Sequence, residues 1–226
     1  EYREQVPHRV HSVAVMASQK QAGGVRDSRL QEDIRQAVIE PVFQAKPIRP
    51  DNDTRIFVNP EGPYFGGPTY HSGLAGRKNA IDTYGEYCRN SGKALSGKDP
   101  VRIDRVGAYA VRHAAKNLVA AGLASKCEIM ASYSIGLTRP VSLEVETFGT
   151  GKRPDEDLAE WVRNRFEFRL AGIIRNFNLR HLPRLNKGKF YQHLAAYGHF
   201  GRTDMDLPWE KNEIGRASCR ERVCHR

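Results

Sequence analysis

Two hydrophobic periods alternate in the first third of the chain. Across Val10–Ser18, Val13, Val15 and Ala17 fall on one face, as a strand with one covered side would place them. Gly23 and Gly24 break that pattern. In "DSRLQEDIRQAVIEPVF" the apolar residues Leu30, Ile34 and Val38 recur every four positions, which predicts a helix. Ser28 and Gln31 stand at capping-box spacing, and Pro41 predicts the end of the helix. "RIFVNP" reads as a second short strand.

The pattern is clearest in "DRVGAYAVRHAAKNLVAAGL". Ala110, Ala114 and Leu118 share one helical face, and Gly122 stands where a C-cap would. Two strands follow by alternation. Cys127, Ile129, Ala131, Tyr133 and Ile135 form one face of the first, and Val141, Leu143 and Val145 one face of the second. That is the pattern of an antiparallel pair with one wet side. "PDEDLAEWVRNRF" predicts a helix with acids in its first turn and Leu158, Trp161, Val162 and Phe166 toward the core. The order is strand, helix, strand, then helix, strand, strand, helix, without a simple repeat. The fold class is therefore α+β.

Composition narrows the possibilities. The chain has 226 residues, of which 39% are hydrophobic and 27% charged. That supports one large domain or two small ones with a real core. No apolar run approaches the roughly 20 residues of a membrane-spanning helix, and the mean hydropathy is −0.61. The polar start "EYREQVPHRV" has no signal-peptide pattern. Together with Cys88, Cys127, Cys219 and Cys224, none in a C-x-x-C pair, this leads us to expect a cytoplasmic protein with idle thiols. The chain lacks an initiator Met, so it is expected to be cut upstream.

The net charge of +10 raises the question of nucleic acid, but the cations are scattered and form no long basic run. The tail "EIGRASCRERVCHR" contributes four Arg and two Glu, so without it +10 becomes +8. From Glu213 to Val223 this tail is similar to the translation of a common sequencing adapter. Residues 213–226 are expected to be foreign to the native protein.

The chemistry concentrates in the middle. "GGPTYHSGLAGRKNAIDTYG", Gly66–Gly85, holds five glycines around the adjacent cations Arg77 and Lys78. Such a stretch suits the approach of a phosphate to exposed backbone, or it is a surface turn with solvated charges. "SGKALSGKDPVRIDR", Ser91–Arg105, repeats the device with Lys98, Arg102 and Asp104. An Asp at a helix start is often a cap. A carboxylate among cations also suits a Mg²⁺-bound polyphosphate, because the metal takes oxygen and the phosphates take Lys and Arg. No Walker A loop is present: Gly92 and Gly97 have its spacing, but Asp99 follows Lys98. His193 and His199, in "HLAAYGHFG", read as structural or surface histidines, and "RNRFEFR" as a wet edge or helix end.

These stretches, with "VETFGTG" and "AAYGHFGRTDMDLPWEK", resemble the S-adenosylmethionine synthetase (methionine adenosyltransferase) family, in order from about Val10 to Lys211. The resemblance implies that family's α+β fold of repeated mixed sheet-plus-helix domains. Residues 1–66 would be the C-terminal part of the central domain and 67–212 a nearly complete last domain. The family's earlier "HPDK" and "GAGDQG" segments are not in this chain.

What the resemblance implies is a transferase in which methionine sulfur attacks C5′ of ATP, with release of triphosphate and its cleavage to pyrophosphate and phosphate. Arg77, Lys78 and Lys98 would be the catalytic cations on the phosphates. Tyr64 or Phe65 would stack on adenine, with His71 and Ala94 also at the nucleotide. His71 and Arg102 would face methionine, and Asp104 would take Mg²⁺. Two residues depart from the family pattern: His71 stands where relatives carry Asp, and Arg102 where Lys is common. The implied cofactors are two Mg²⁺ per site and K⁺. The implied assembly is a homodimer or dimer of dimers with active sites between subunits, and neither nucleic acid nor membrane is an expected partner. The chain alone is expected to be inactive. The rival readings are a basic nucleic-acid-binding module and a catalytically silent partner subunit.

Overall fold

A computed structural model describes residues 1–4, 6–19, 28–66, 89 and 95–212. They belong to two compact units, Glu1–Leu74 and Ala75–Arg226.

In the first unit, β1 (Tyr2–Arg3) pairs antiparallel with β2 (Val6–Pro7). Strands β3 (Ser12–Val15) and β4 (Arg55–Val58) run parallel, with Val13 opposite Ile56 and Val15 opposite Val58. A parallel pair needs a long crossover, and the helical segment predicted from Leu30, Ile34 and Val38 provides it. It starts as α1 (Ser28–Ile34), widens into a π-helical turn over Arg35–Ile39, and resumes as α2 (Glu40–Gln44). Pro41 was expected to end this helix and does not. The Glu40 amide bonds back five residues to the Arg35 carbonyl. That wide turn brings Pro41 into the opening of α2, where its missing N–H is not needed.

The second unit is built around α3 (Ile103–Ala120). Its face of Val106, Ala110, Ala114 and Leu118 is buried, as the four-residue spacing predicts. Gly122 ends it at φ +71. The Leu123 amide returns to the Leu118 carbonyl at 3.2 Å and the Gly122 amide to Val119 at 2.9 Å. This is a Schellman motif, with Leu123 and Leu118 both buried.

Strands β5 (Glu128–Ser132) and β6 (Ser142–Glu146) pair antiparallel, Ile129 opposite Val145 and Ala131 opposite Leu143. Ile129, Leu143 and Val145 face the core. The expected alternation fails at its outer ends. Ile135 is fully exposed and Val141 largely so. The chain leaves β5 at Ser132 and turns at Gly136, φ +88, before β6 begins, so neither residue reaches the covered face.

Helix α4 (Asp155–Arg165) packs on β6. Asp155, Glu156 and Asp157 occupy its first turn and Arg163 and Arg165 its last, which complements the helix dipole at both ends. Leu158 and Val162 are buried, while Trp161 and Phe166 pack partly exposed against the core. Of "RNRFEFR", Arg163–Arg165 end this helix and Phe166 is its C-cap, while Phe168 beyond it is buried in the core. Two helices escaped the sequence pattern, α5 (Leu170–Asn176) and α6 (Phe190–Tyr197), as did 3₁₀ turns at Leu182–Gly188 and Pro208–Glu210. Among the described residues, no helix is long and apolar enough to cross a membrane.

Candidate functional site

The turn before α3 brings together three of the expected site residues. Gly97 adopts φ +83, a backbone shape that favours glycine. Asp99 then accepts the Val101 amide at 2.8 Å on its own side chain, closing a second turn. Arg102 is extended at φ −73, ψ 136 and sits just before the helix. Asp104 falls in the first helical turn, where a negative charge is favoured. Its Oδ2 lies 3.2 Å from Lys98 Nζ and 3.5 Å from Arg102 Nε. Lys98 and Asp104 are part-buried, whereas Arg102 is exposed.

Below this surface lies a buried polar network that the sequence did not disclose. Arg105 NH1 donates to the Lys98 carbonyl at 2.7 Å, and Arg105 Nε to the Tyr109 hydroxyl at 2.8 Å. The same hydroxyl is 2.7 Å from His199 Nδ1. His199 Nε2 is 2.8 Å from Ser96 Oγ, on the turn that carries Lys98. Trp209 stacks on Tyr109 with ring centroids 3.8 Å apart and donates its indole N–H to the His199 carbonyl. His199 is fully buried. Burial, with the nearby positive charges of Arg105 and Arg202, pushes its pKa down to about 3, so it is neutral at pH 7. His193, by contrast, is exposed. Of the two readings open to His199, structural or surface, burial decides for the first; its partners Ser96 and Tyr109 are 103 and 90 positions away, and no local spacing marks them.

Glu210 fastens the C-terminal segment to α3. Its carboxylate receives Arg112 Nε at 2.9 Å and Lys116 Nζ at 2.9 Å. Burial alone would raise its pKa, but these hydrogen bonds prevail and hold it below the ordinary carboxylate value. Cys127 is the described thiol, and burial pushes its pKa up to about 12, so it is unreactive at neutral pH.

In the first unit, Tyr64 and Phe65 are half-buried. The Gln19 amide donates to the Tyr64 carbonyl at 2.8 Å, and the Gly66 amide to Ser18 Oγ at 3.0 Å. A Cβ on Gly66 would lie 2.8 Å from the Tyr64 ring, so glycine is what lets that ring fold back. The expected site residues His71, Arg77, Lys78 and Ala94 lie outside the described residues, as do Cys88, Cys219, Cys224 and the 213–226 tail.

Among the described residues, no group of three or more His, Cys, Asp and Glu could hold a metal ion. Asp104 offers one hard oxygen donor, beside the cations Lys98 and Arg102. Mg²⁺ commonly takes one or two carboxylates and completes its shell with phosphate oxygens and water, and this donor set fits that habit.

A family model described as "S-adenosylmethionine synthetase, central domain" matches residues 1–64, and one described as "S-adenosylmethionine synthetase, C-terminal domain" matches residues 65–211. The chain belongs to the S-adenosylmethionine synthetase family. It is 57% identical over 185 residues to the S-adenosylmethionine synthase of Gloeothece citriformis (strain PCC 7424), covering 81% of this chain and 44% of the relative. It is 51% identical over 219 residues to the synthase of Synechococcus elongatus (strain ATCC 33912 / PCC 7942 / FACHB-805), covering 94% and 52%. The chain thus spans about half the length of the curated relatives it matches. Within the family's C-terminal domain, the Lys98–Arg102–Asp104 group sits at the start of its longest described helix.

Proposed function

We propose that the protein to which this chain belongs makes S-adenosylmethionine from ATP and methionine. A sulfur lone pair forms the bond to C5′, the C5′–O pair stays with the departing triphosphate oxygen, and the triphosphate is then hydrolysed to pyrophosphate and phosphate. A thioether carries no proton, so the step needs no general base. The barrier lies in orientation and in the charge that gathers on the leaving group. The observation that carries this reading is the placement of Lys98 and Arg102 around Asp104 at the start of α3, in a chain of this family.

In this reading Lys98, Arg77 and Lys78 bind the triphosphate, and Tyr64 or Phe65 stacks on adenine. Ala94 lies near the nucleotide, and Arg102 and His71 face methionine. Asp104 would hold Mg²⁺, which when bound neutralises phosphate charge. Lys98 would then turn from Asp104 toward a phosphate oxygen, and the partial exposure of both side chains leaves room for that exchange. K⁺ belongs to the proposal without an assigned residue. The proposal includes a cytoplasmic homodimer or dimer of dimers with sites between subunits. It also takes residues 1–66 and 67–212 as central and C-terminal domain segments, and 213–226 as not native. The 226 residues alone should be inactive, because orientation of both substrates needs more of the enzyme than they supply.

The test is to express the complete reading frame and supply ATP, methionine, Mg²⁺ and K⁺. The reading requires a sulfonium product formed in step with phosphate and pyrophosphate. ATP hydrolysis without sulfonium, or no reaction, would exclude it.

A further inference from the structure

We infer that His199 is a positioning residue for Lys98. The inference rests on the reading of Lys98 as a triphosphate-binding cation. The turn that carries Lys98 is weakly closed by its own backbone, since the Lys98 amide reaches the Leu95 carbonyl only at 3.4 Å. Side chains brace it on two sides, and both braces lead to His199. On one side Nε2 meets the Ser96 hydroxyl at 2.8 Å. On the other, Nδ1 meets the Tyr109 hydroxyl at 2.7 Å, and Tyr109 receives Arg105, whose second nitrogen holds the Lys98 carbonyl at 2.7 Å.

The imidazole is itself fixed. Trp209 donates to the His199 carbonyl and stacks on Tyr109, so the ring cannot shift without moving the core. A lysine side chain has several rotatable bonds, so what the protein can set cheaply is the position of its backbone. A turn that wanders by an ångström moves the ammonium off the phosphate oxygens, and such displacement is costly in rate. His199 is buried away from solvent and neutral at pH 7. It therefore acts as a hydrogen-bonding strut, not as an acid or base.

The experiment uses the complete enzyme. Ser96 is exposed, so Ser96→Ala removes one brace without opening a cavity. The expected result is a three- to tenfold fall in kcat/KM for ATP, with the methionine KM within twofold and the thermal midpoint within about a degree of the parent. Ser96→Thr, which keeps a hydroxyl, should recover most of the loss. His199→Gln should act in the same direction. Added to Lys98→Ala, Ser96→Ala should cost nothing further, because both changes act through one group. If Lys98→Ala costs tenfold while Ser96→Ala and His199→Gln in folded protein stay within twofold of the parent, the phosphate reading stands and the positioning role is overturned. A multiplicative loss in the double variant overturns it as well. If Lys98→Ala itself has no effect, both readings fall.

Discussion

The ammonium of Lys98 lies 3.2 Å from Asp104 Oδ2, across the turn that leads into α3. Ion pairs at the surface contribute little to folding, commonly below about 1 kcal/mol, and this one is still partly reached by solvent. The pair can therefore be opened by a ligand at small cost. Asp104→Asn is expected to move the thermal midpoint by no more than about two degrees. In the complete enzyme it should raise the Mg²⁺ concentration for half-maximal rate several-fold, because a neutral amide is a weaker ligand for a hard cation. A Mg²⁺ titration of the rate checks this, and an unchanged requirement would remove Asp104 from the metal site.

Gly122 makes a prediction about folding alone. Its φ of +71 allows the Schellman closure of α3, and a Cβ there would meet nothing nearer than Lys152 Nζ at 3.7 Å. Space is available, so Gly122→Ala should cost only the backbone strain of a left-handed residue, about 1–2 kcal/mol. Urea denaturation of the chain measures it. A variant as stable as the parent would show that the C-cap adds nothing.

His199 predicts a pH dependence of stability. Unfolded, it titrates near its ordinary 6.5, while burial and two neighbouring guanidinium groups hold the folded value at about 3. The unfolded chain takes up this proton first. The contribution is therefore complete above about pH 6.5 and is lost progressively as pH falls toward 3. Between pH 7 and pH 5 this group should account for about 1–2 kcal/mol of lost stability. His199→Gln should reduce the pH 7-to-5 loss by that amount, whatever it does to stability at pH 7. Equal losses in parent and variant would contradict the assignment.

His71 separates the two substrates. Under the proposed assignment, His71→Asp in the complete enzyme should change the methionine KM more than the ATP KM. Steady-state kinetics with each substrate varied in turn decides it. Equal effects on both, or none on either, would place His71 elsewhere.

The legibility of this chain follows the range of the forces involved. Helix α3 was readable because four-residue spacing and a following glycine are local signals, and the buried Ala110, Ala114 and Leu118 answer to them. The β5–β6 pair was readable at its centre, where Leu143 and Val145 alternate with Ser142 and Glu144, but not at its ends, where Gly136 turns the chain. Pro41 misled because a π-helical turn two residues earlier shifts the hydrogen-bond register. Helices α5 and α6 are only 7 and 8 residues long, too short to show a period. At the candidate site, Lys98, Arg102 and Asp104 were legible because seven consecutive residues hold all three charges. The network beneath them was not. A histidine in "AYGHFG" acquires its meaning only when the fold delivers it to Ser96 and Tyr109.

The central claim is that the cations of the two glycine-bearing sequence stretches stabilise a departing triphosphate. The most direct measurement is the rate of sulfonium formation by the complete enzyme carrying Lys98→Ala or Arg77→Ala, at saturating Mg²⁺. Charge grows on the leaving oxygen as the C5′–O bond breaks, so a cation there helps the transition state more than it helps bound ATP. Each substitution is predicted to lower the rate at least tenfold, about 1.4 kcal/mol of lost transition-state stabilisation. Near-parental rates in both variants would contradict the account and remove Lys98 and Arg77 from the phosphate-binding role.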